Sequence, residues 1–307
     1  MRHILPRGRG SFPLICCIYC LSVLCPEPEA QAVFRARTES VAISASVKSG
    51  NSAVANLTAS DFRLTDNGVA QSIEAVTIES VPLDVTLFMD TSGSTAGALD
   101  RMKRNVVQIA GMLHPDDRFR LLTIGLSVGT PVPWQRAGHP ISLEMKAVPG
   151  ISLVYDALFV ALAHTPAPGR RHLVAAMTDG RDCGSLLDGP RVLDASGRTE
   201  AVLHWIYVRS SGSFDEQSIA AWRTPADAGV VDYMADAATR TGGSRHKSLF
   251  GDPAVRTFSQ ILNDFRQSYV LRYSPRSVPG KGWHSVVVQV FAQPGLTVRA
   301  RSGYFGS

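Results

Sequence analysis

The stretch that decides the fold is VTLFMDTSGSTAG, which runs from Val85 to Gly97. A row of apolar residues stops at Asp90, and a short turn rich in hydroxyl groups follows. Such a continuous apolar run is typical of a strand that is buried on both faces of a parallel sheet. Asp90, Ser92 and Ser94 are small, carry oxygen atoms and are two positions apart. We therefore expect these three residues at the carboxyl end of a buried strand.

From Leu83 onwards the chain alternates between strand-like and helix-like segments. RFRLLTIG, HLVAAMTD and AVLHWIYV are strand-like, whereas GALDRMKRNVVQIAGML, LVYDALFVALAH and VVDYMADAATRTGG have helical spacing of apolar residues. This alternation predicts right-handed crossovers and a mostly parallel sheet with helices on both faces. The predicted fold is α/β, a doubly wound, Rossmann-like domain over residues 81–268.

Two helix ends carry recognisable signals. Gly242 is a predicted left-handed cap at the end of the third helical segment, and Asp252-Pro253 is a predicted helix start. The inner face of that last helix is predicted to consist of Val255, Phe258, Ile261, Leu262 and Phe265.

Residues 33–80 and 269–307 read as strands. VAISASV alternates apolar and small polar residues, and Asn67-Gly68 is typical of a tight hairpin turn. Each segment is too small to bury a good core alone. We therefore predict one small β-sandwich-like domain that is built from both segments and flanks the α/β domain.

Residues 1–32 have the organisation of a secretory signal peptide. Arginines precede an apolar run from Leu14 to Cys25, and Ala30-Gln31-Ala32 is an A-x-A cleavage site. Cleavage after Ala32 would give a secreted, periplasmic or cell-envelope protein. The alternative is that the signal peptide is not cleaved and anchors the protein in a membrane, which is the only membrane attachment that the sequence predicts. Four cysteines would be removed with the leader, so Cys183 would be the one cysteine of the mature chain. An internal disulfide is therefore not expected.

The composition is that of an ordinary globular protein. Of the 307 residues, 45% are hydrophobic and 19% are charged, and the net charge of +5 is spread along the chain. A diffuse positive charge does not favour nucleic acid as a partner.

Two later turns add oxygen donors to the first. Asp179 follows the strand-like segment LVAAMT, and Ser152 stands just before a helix. Ligands of open parallel sheets bind at the carboxyl ends of the strands, so Asp90, Ser92, Ser94, Ser152 and Asp179 are expected at one rim. Hydroxyl and carboxylate oxygens suit a hard divalent cation such as Mg²⁺, with Mn²⁺ or Ca²⁺ as alternatives.

With these motifs in order, the chain resembles von Willebrand factor type A (VWFA) domains. DTSGS fits the D-x-S-x-S motif of that family, Ser152 stands where the family has a threonine, and Asp179 matches its later aspartate. LTASDFRLTDNGVAQSI, YVLRYSP and VRARSGY are similar to the flanks of an exported bacterial, Acidobacterial-type group. The resemblance covers nearly the whole mature chain.

The resemblance implies a metal-ion-dependent adhesion site (MIDAS). By it, Ser92 and Ser94 would ligate the metal directly, and Ser152 directly or through water. Asp90 and Asp179 would act mainly through water and hydrogen bonds. It also implies a protein partner whose aspartate or glutamate completes the metal site. Serine in place of threonine keeps the oxygen but loses the methyl group that restricts the rotamer.

Two other functions remain open at this point, a metal-assisted hydrolase on the same rim and a structural envelope protein with a vestigial site. An aspartyl phosphatase would need a second acid where Ser92 stands, and G-x-x-x-x-G-K-[ST] and H-E-x-x-H are not found in the sequence. A binding module rather than an enzyme is therefore predicted.

Several other residues near these motifs have a simpler reading. Asp84 is expected to have no role, and Asp156 to interact with a helix dipole. Asp182 is a loop carboxylate that lies either near the site or in solvent, and His172 and His204 are expected to be packed histidines.

Overall fold

The strand around which the fold is built, Leu83–Asp90, is buried at every residue. The computed structural model describes residues 40–92, 97, 99–146, 152–208, 232–248 and 253–306. The predicted signal peptide and its cleavage site, Ser94 and the predicted N-cap Asp252 lie outside these residues. All described residues belong to one compact unit, Thr38–Ser307.

The described strands, in chain order, are β1 (Val41–Ser49), β2 (Ser52–Ala53), β3 (Phe62–Asp66), β4 (Val69–Gln71), β5 (Ala75–Ile78), β6 (Leu83–Asp90), β7 (Arg118–Ile124), β8 (Val128–Arg136), β9 (Arg171–Thr178), β10 (Val202–Val208), β11 (Arg245–Ser248), β12 (Tyr269–Tyr273), β13 (Gly282–Val290), β14 (Leu296–Ala300) and β15 (Gly303–Gly306). The described α-helices are α1 (Leu99–Gly111), α2 (Val154–Leu162), α3 (Gly189–Arg198), α4 (Tyr233–Arg240) and α5 (Pro253–Arg266).

The central sheet has six strands in the order β11-β10-β9-β6-β7-β8. All neighbouring strands are parallel except β7 and β8, which are antiparallel. The strand order reverses at β6, because the chain continues first to β7 on one side and later to β9 on the other. A ligand site is expected at such a reversal, outside the carboxyl ends of the strands.

Helices cover both faces of this sheet. Leu87 and Met89 of β6 pack with α1 and α5 on one face, and Phe88 packs with α2 and α4 on the other. Alternate residues of a strand point to opposite faces, so an uninterrupted apolar run supplies both cores. The predicted doubly wound, Rossmann-like α/β fold is confirmed.

The strands at the two ends of the chain form two further sheets. β1 pairs with both β12 and β14, and β3 pairs with β13, all antiparallel. Ile43, Leu64 and Leu271 belong to one shared hydrophobic cluster, so the two sheets enclose a common core. The Asn67-Gly68 turn between β3 and β4 has the predicted positive φ angles of 48° and 81°. The exact domain boundaries at residues 80 and 268 stay a prediction.

Four details differ from the sequence-based expectation. Val255 is partly exposed and Ala254 is buried instead, while the other predicted inner-face residues of α5 are buried. β8, β11 and α3 were not foreseen. β8 contains Pro131 and Pro133, which an edge strand tolerates. α3 begins after Asp188, whose side chain accepts a hydrogen bond from the Arg191 backbone N–H.

Among the described residues, no helix is both long and apolar enough to cross a membrane.

Candidate metal centre

Asp90, the last residue of β6, lies at the centre of the predicted site and is completely buried. Its Oδ1 accepts a hydrogen bond from the Ser92 backbone N–H at 2.9 Å. Its Oδ2 accepts from Thr178 Oγ1 at 2.9 Å and from Ser152 Oγ at 3.3 Å. One carboxylate thus fixes the turn after β6, the end of β9 and the segment before α2.

The parallel sheet explains this convergence. β6 and β9 are neighbours in register, with Met89 opposite Met177, so Asp90 and Thr178 reach the same edge. Ser152 stands two residues before α2 and is buried, as is Ser92. Hence three of the predicted residues, Asp90, Ser92 and Ser152, are brought together.

Thr178 belongs to this group although it was not predicted. It is completely buried, and its Oγ1 also accepts a hydrogen bond from the Gly180 backbone N–H at 3.0 Å. Its position at the end of a buried strand, next to Asp179, was the available sequence signal.

The remaining two predicted residues are less defined. Asp179 is partly exposed, and its Oδ1 accepts a hydrogen bond from the Arg181 backbone N–H at 3.1 Å. Ser94 lies outside the described residues, so its place in the site stays a prediction. Asp179 directly follows Thr178, the buried residue that donates to Asp90.

The donor set suits a hard cation. The Ser152 hydroxyl points its hydrogen at Asp90, so its lone pairs face elsewhere and are available to an ion. Hydroxyl and carboxylate oxygens are the ligands that Mg²⁺ prefers. Over the part of the chain that the structure describes, no group of three or more His, Cys, Asp and Glu side chains could hold a metal ion. A site here would depend on serine hydroxyls.

A loop beside Ser152 is held to the start of α2 by two carboxylates. Asp182 accepts a hydrogen bond from the Tyr155 backbone N–H at 3.0 Å, and the Cys183 N–H donates to the Ser152 carbonyl at 2.9 Å. Asp156 accepts from the backbone N–H groups of Leu186 and Leu187 at 3.0 and 2.9 Å. Both carboxylates therefore fix the loop that carries the exposed Cys183.

The expectation that Asp84 has no role is wrong. Its side chain is completely buried and bonds to Arg118 Nε at 2.8 Å, Arg170 Nε at 2.5 Å and His164 Nε2 at 3.0 Å. Trp134 of β8 packs against the His164 ring at 4.5 Å between centroids. Asp84 thus joins β6, β7 and the segment between α2 and β9.

The charge of Asp84 is stabilised by these partners. Burial by itself would raise the pKa of the carboxyl, but hydrogen bonds from Arg118, His164 and Arg170 outweigh it and lower the pKa below its usual range. Asp84 is therefore ionised, and its role is structural, because its bonding oxygens face arginines and a histidine.

The two packed histidines were predicted correctly. His172 is 1% exposed, and its Nε2 lies 2.9 Å from Thr86 Oγ1. Burial, together with nearby His164 and Arg120, lowers the pKa of His172 to about 3. His204 is also buried, and its Nδ1 lies 3.0 Å from His246 Nε2. Burial is also the main reason that the pKa of His204 lies well below its usual value and that the pKa of His246 is lowered to about 4.

No protein-family model and no curated protein matches the chain. Solved structures do match, among them von Willebrand factor type A from Catenulispora acidiphila, at 12% identity and a TM-score of 0.47, over 83% of this chain and 75% of that chain. An aerotolerance-related membrane protein from Bacteroides fragilis matches at 15% identity and a TM-score of 0.39, over 59% of this chain and 98% of that one. Manganese-loaded TRAP protein from Plasmodium vivax matches at 13% identity and a TM-score of 0.40, over 78% and 97%. These identities and scores are low, so the fold described above rests on the sheet order of the chain itself.

Proposed function

We propose that this chain is a VWFA-type protein-interaction module whose binding is switched by a divalent cation. The observation that carries the proposal is the convergence on Asp90 Oδ2 of Ser152 Oγ and Thr178 Oγ1, from two distant parts of the chain. A buried carboxylate that orients hydroxyl groups at the carboxyl end of a parallel sheet is what a serine-based cation site requires.

Each residue then has a defined part in holding the ion. Ser92, Ser94 and Ser152 supply neutral oxygen ligands, with Mg²⁺ as the expected ion and Mn²⁺ or Ca²⁺ as alternatives. Asp90 acts by hydrogen bonds, because its oxygens already accept from Ser92, Ser152 and Thr178. Asp179, which is partly exposed, acts through water on the solvent side.

Neutral ligands determine what the site can recognise. Serine oxygens do not cancel the positive charge of a divalent ion, and three of them cannot fill the six positions that Mg²⁺ prefers. When bound, the ion would keep much of its positive charge and have an open coordination position that an external anion can occupy. The partner is therefore proposed to be a protein that presents an aspartate or glutamate, and the role is binding, not catalysis.

The proposal includes export. The leader of residues 1–32 and the similarity of the flanks to the Acidobacterial-type group support a secreted, periplasmic or cell-envelope location. Intact-mass measurement on protein from the native host should give a chain that begins at Val33. A chain that retains Met1 in the cytoplasm would contradict this part.

Metal-dependent capture tests the binding function. Immobilised protein is exposed to envelope extract with Mg²⁺ or with chelator, and retained proteins are identified. We expect a partner that is retained with Mg²⁺, lost with chelator, and lost from folded Ser92→Ala and Asp179→Ala variants. A Ser285→Ala variant is the control, because Ser285 is an exposed serine of β13. Equal retention in chelator would show that the rim is not the recognition surface.

A further inference from the structure

His204, Ser244 and His246 bring three metal-binding atoms together at the far side of the central sheet, on strands β10 and β11 and the residue before β11. His204 Nδ1 lies 3.0 Å from His246 Nε2, and Ser244 Oγ lies 2.9 Å from His246 Nε2 and 3.5 Å from His204 Nδ1. β10 is two strands away from β6 in the central sheet, and Asp90 is the last residue of β6.

The strand geometry creates this cluster. Ser244 and His246 are two positions apart in an extended segment, so their side chains point to the same face of the sheet. β10 and β11 are parallel, with Ile206 opposite His246, and the Trp205 backbone N–H donates to the Ser244 carbonyl at 3.0 Å. His204 therefore lies directly beside Ser244.

The three atoms form a closed triangle. This arrangement indicates a shared ion more specifically than an open chain of hydrogen bonds would, because all three atoms can contact the same point. In an open chain the two outer atoms would be much farther apart than the 3.5 Å observed. Because a triangle with these sides has a circumscribed radius of about 1.8 Å, one ion just off its plane can lie at the usual zinc–nitrogen distance of about 2.0–2.1 Å from every corner.

We propose that His204, Ser244 and His246 form a second metal site, which binds a transition-metal ion of the zinc and copper class. Imidazole nitrogen suits Zn²⁺, Cu²⁺ and Ni²⁺, whereas Mg²⁺ prefers oxygen. The two sites therefore differ in the metal that they select, and this one does not depend on the function proposed for the first.

The surroundings allow an ion to enter and to be solvated. His204 is 6% exposed, whereas Ser244 and His246 are partly exposed. Because Ser244 and His246 are partly exposed, water would supply the remaining ligands of a tetrahedral ion. The lowered pKa values of both histidines keep the rings neutral near pH 7, which is the form that binds metals.

The nearby charges limit the affinity. Lys48 and Arg299 lie close enough to oppose a positive charge at His204, and Asp264 partly offsets them because it forms an ion pair with Lys48. We therefore expect a site that is weaker than a structural zinc site with charged ligands, and that prefers Cu²⁺ to Zn²⁺ in the general order of divalent metals.

Zinc titration by calorimetry tests the site. The chain from Val33, which the proposed cleavage gives, contains one cysteine, Cys183, so this thiol is first alkylated to remove a thiolate ligand. The alkylated wild type should bind one Zn²⁺ with an affinity that falls about tenfold or more in His246→Gln, because loss of even a supporting residue costs a metal site about that much. The matched control is His139→Gln, since His139 is exposed and outside the cluster. Equal binding by wild type and His246→Gln, or no binding by wild type, would overturn the proposal.

Electron paramagnetic resonance of the Cu²⁺ form gives a second, independent readout. Coupling to two imidazole nitrogens is expected in the alkylated wild type and to one in His246→Gln. A Ser244→Ala variant should keep both nitrogens and bind more weakly. A wild-type spectrum with a single nitrogen, or one that is unchanged in His246→Gln, would show that these histidines do not share the ion.

Discussion

Ser152 Oγ donates a hydrogen bond to Asp90 Oδ2 at 3.3 Å, although the two residues are 62 positions apart in the chain. Asp90 ends β6 and Ser152 precedes α2, so their contact exists because β6 ends and α2 begins at the same edge of the sheet. The contact uses the hydroxyl hydrogen of Ser152 and leaves its lone pairs to another partner. Asp90 therefore orients the Ser152 hydroxyl, which is a proposed metal ligand.

The first prediction follows from this contact. Asp90→Ala should abolish Mg²⁺ binding measured by calorimetry, because the Ser152 and Thr178 hydroxyls lose their common acceptor. Ser152→Ala should weaken binding, whereas Ser152→Thr should preserve or tighten it, since the added methyl group restricts the rotamer. Ser285→Ala is the control. If Asp90→Ala and the wild type bind Mg²⁺ equally, the ion does not lie at this rim.

The sequence predicted the elements whose signal is local. The apolar run up to Asp90 correctly predicts a strand, and the helical spacing of apolar residues correctly predicts α1. A strand that is buried on both faces has a continuous apolar run, whereas a helix that is buried on one face has apolar residues every three or four positions. The two prolines of β8 argue against a strand, and only its place at the sheet edge makes them acceptable. The N-cap Asp188 and the following Gly-Pro did carry a signal for α3.

Residues whose partners are distant in sequence could not be interpreted in the same way. Asp84 is bonded to Arg118, His164 and Arg170, which are 34, 80 and 86 positions away. Thr178 gains its place in the site only through Asp90. Which side chains meet across such separations depends on the register of the strands. The periodicity of apolar residues in the sequence does not reveal that register.

A second prediction concerns Asp84. Asp84→Ala should lower the free energy of unfolding by about 3 kcal/mol, since it leaves Arg118 and Arg170 without their buried counter-charge. This is near the lower end for such a loss, because a third of the Arg118 side chain is exposed to water. Urea denaturation at pH 7 measures it. Asp194→Ala is the control, because that carboxylate pairs with Arg198 at an exposed site. A cost at Asp84 as small as at Asp194 would contradict the structural role.

Acid should remove the same contribution. The pKa of Asp84 is lowered in the folded chain, so the unfolded chain takes up the proton first as the pH falls. The contribution is therefore fully present above about pH 4 and is lost progressively below it. The difference in stability between wild type and Asp84→Ala should narrow over that range; a constant difference down to pH 2 would be inconsistent with this pairing.

The third prediction concerns the strands at the two ends of the chain. Deletion of residues 269–307 would remove β12 and β14, which pair with β1, and β13, which pairs with β3. Trypsin should then cut rapidly after Lys48 and Arg63, as seen by mass spectrometry. Deletion of residues 303–307 alone is the matched control, because it removes β15 and leaves the pairings of β1 and β3 intact. Protection of residues 40–80 in the longer deletion would show that this segment folds without the C-terminal strands.

The last prediction is the pH dependence that buried His172 imposes. Its pKa is lowered from 6.5 to about 3, mainly because the buried ring is removed from water, with Arg120 and His164 adding repulsion and Asp84 opposing them. Between these two values the unfolded chain holds a proton on this residue and the folded chain does not, so stability falls as the pH is lowered from about 6.5.

The slope identifies the residue responsible. One such histidine contributes up to about 1.4 kcal/mol per pH unit, and His204 and His246 act in the same direction. His172→Leu should remove its share of the slope between pH 6.5 and 4.5. Its stability at pH 7 should stay within about 1 kcal/mol of wild type, because Arg120 still donates to Thr86 when the imidazole is removed. His139→Leu, at an exposed position, should leave the slope unchanged. Urea denaturation at half-unit pH steps measures all three proteins, and a His172→Leu slope equal to that of wild type would show that this ring is protonated alike in both states.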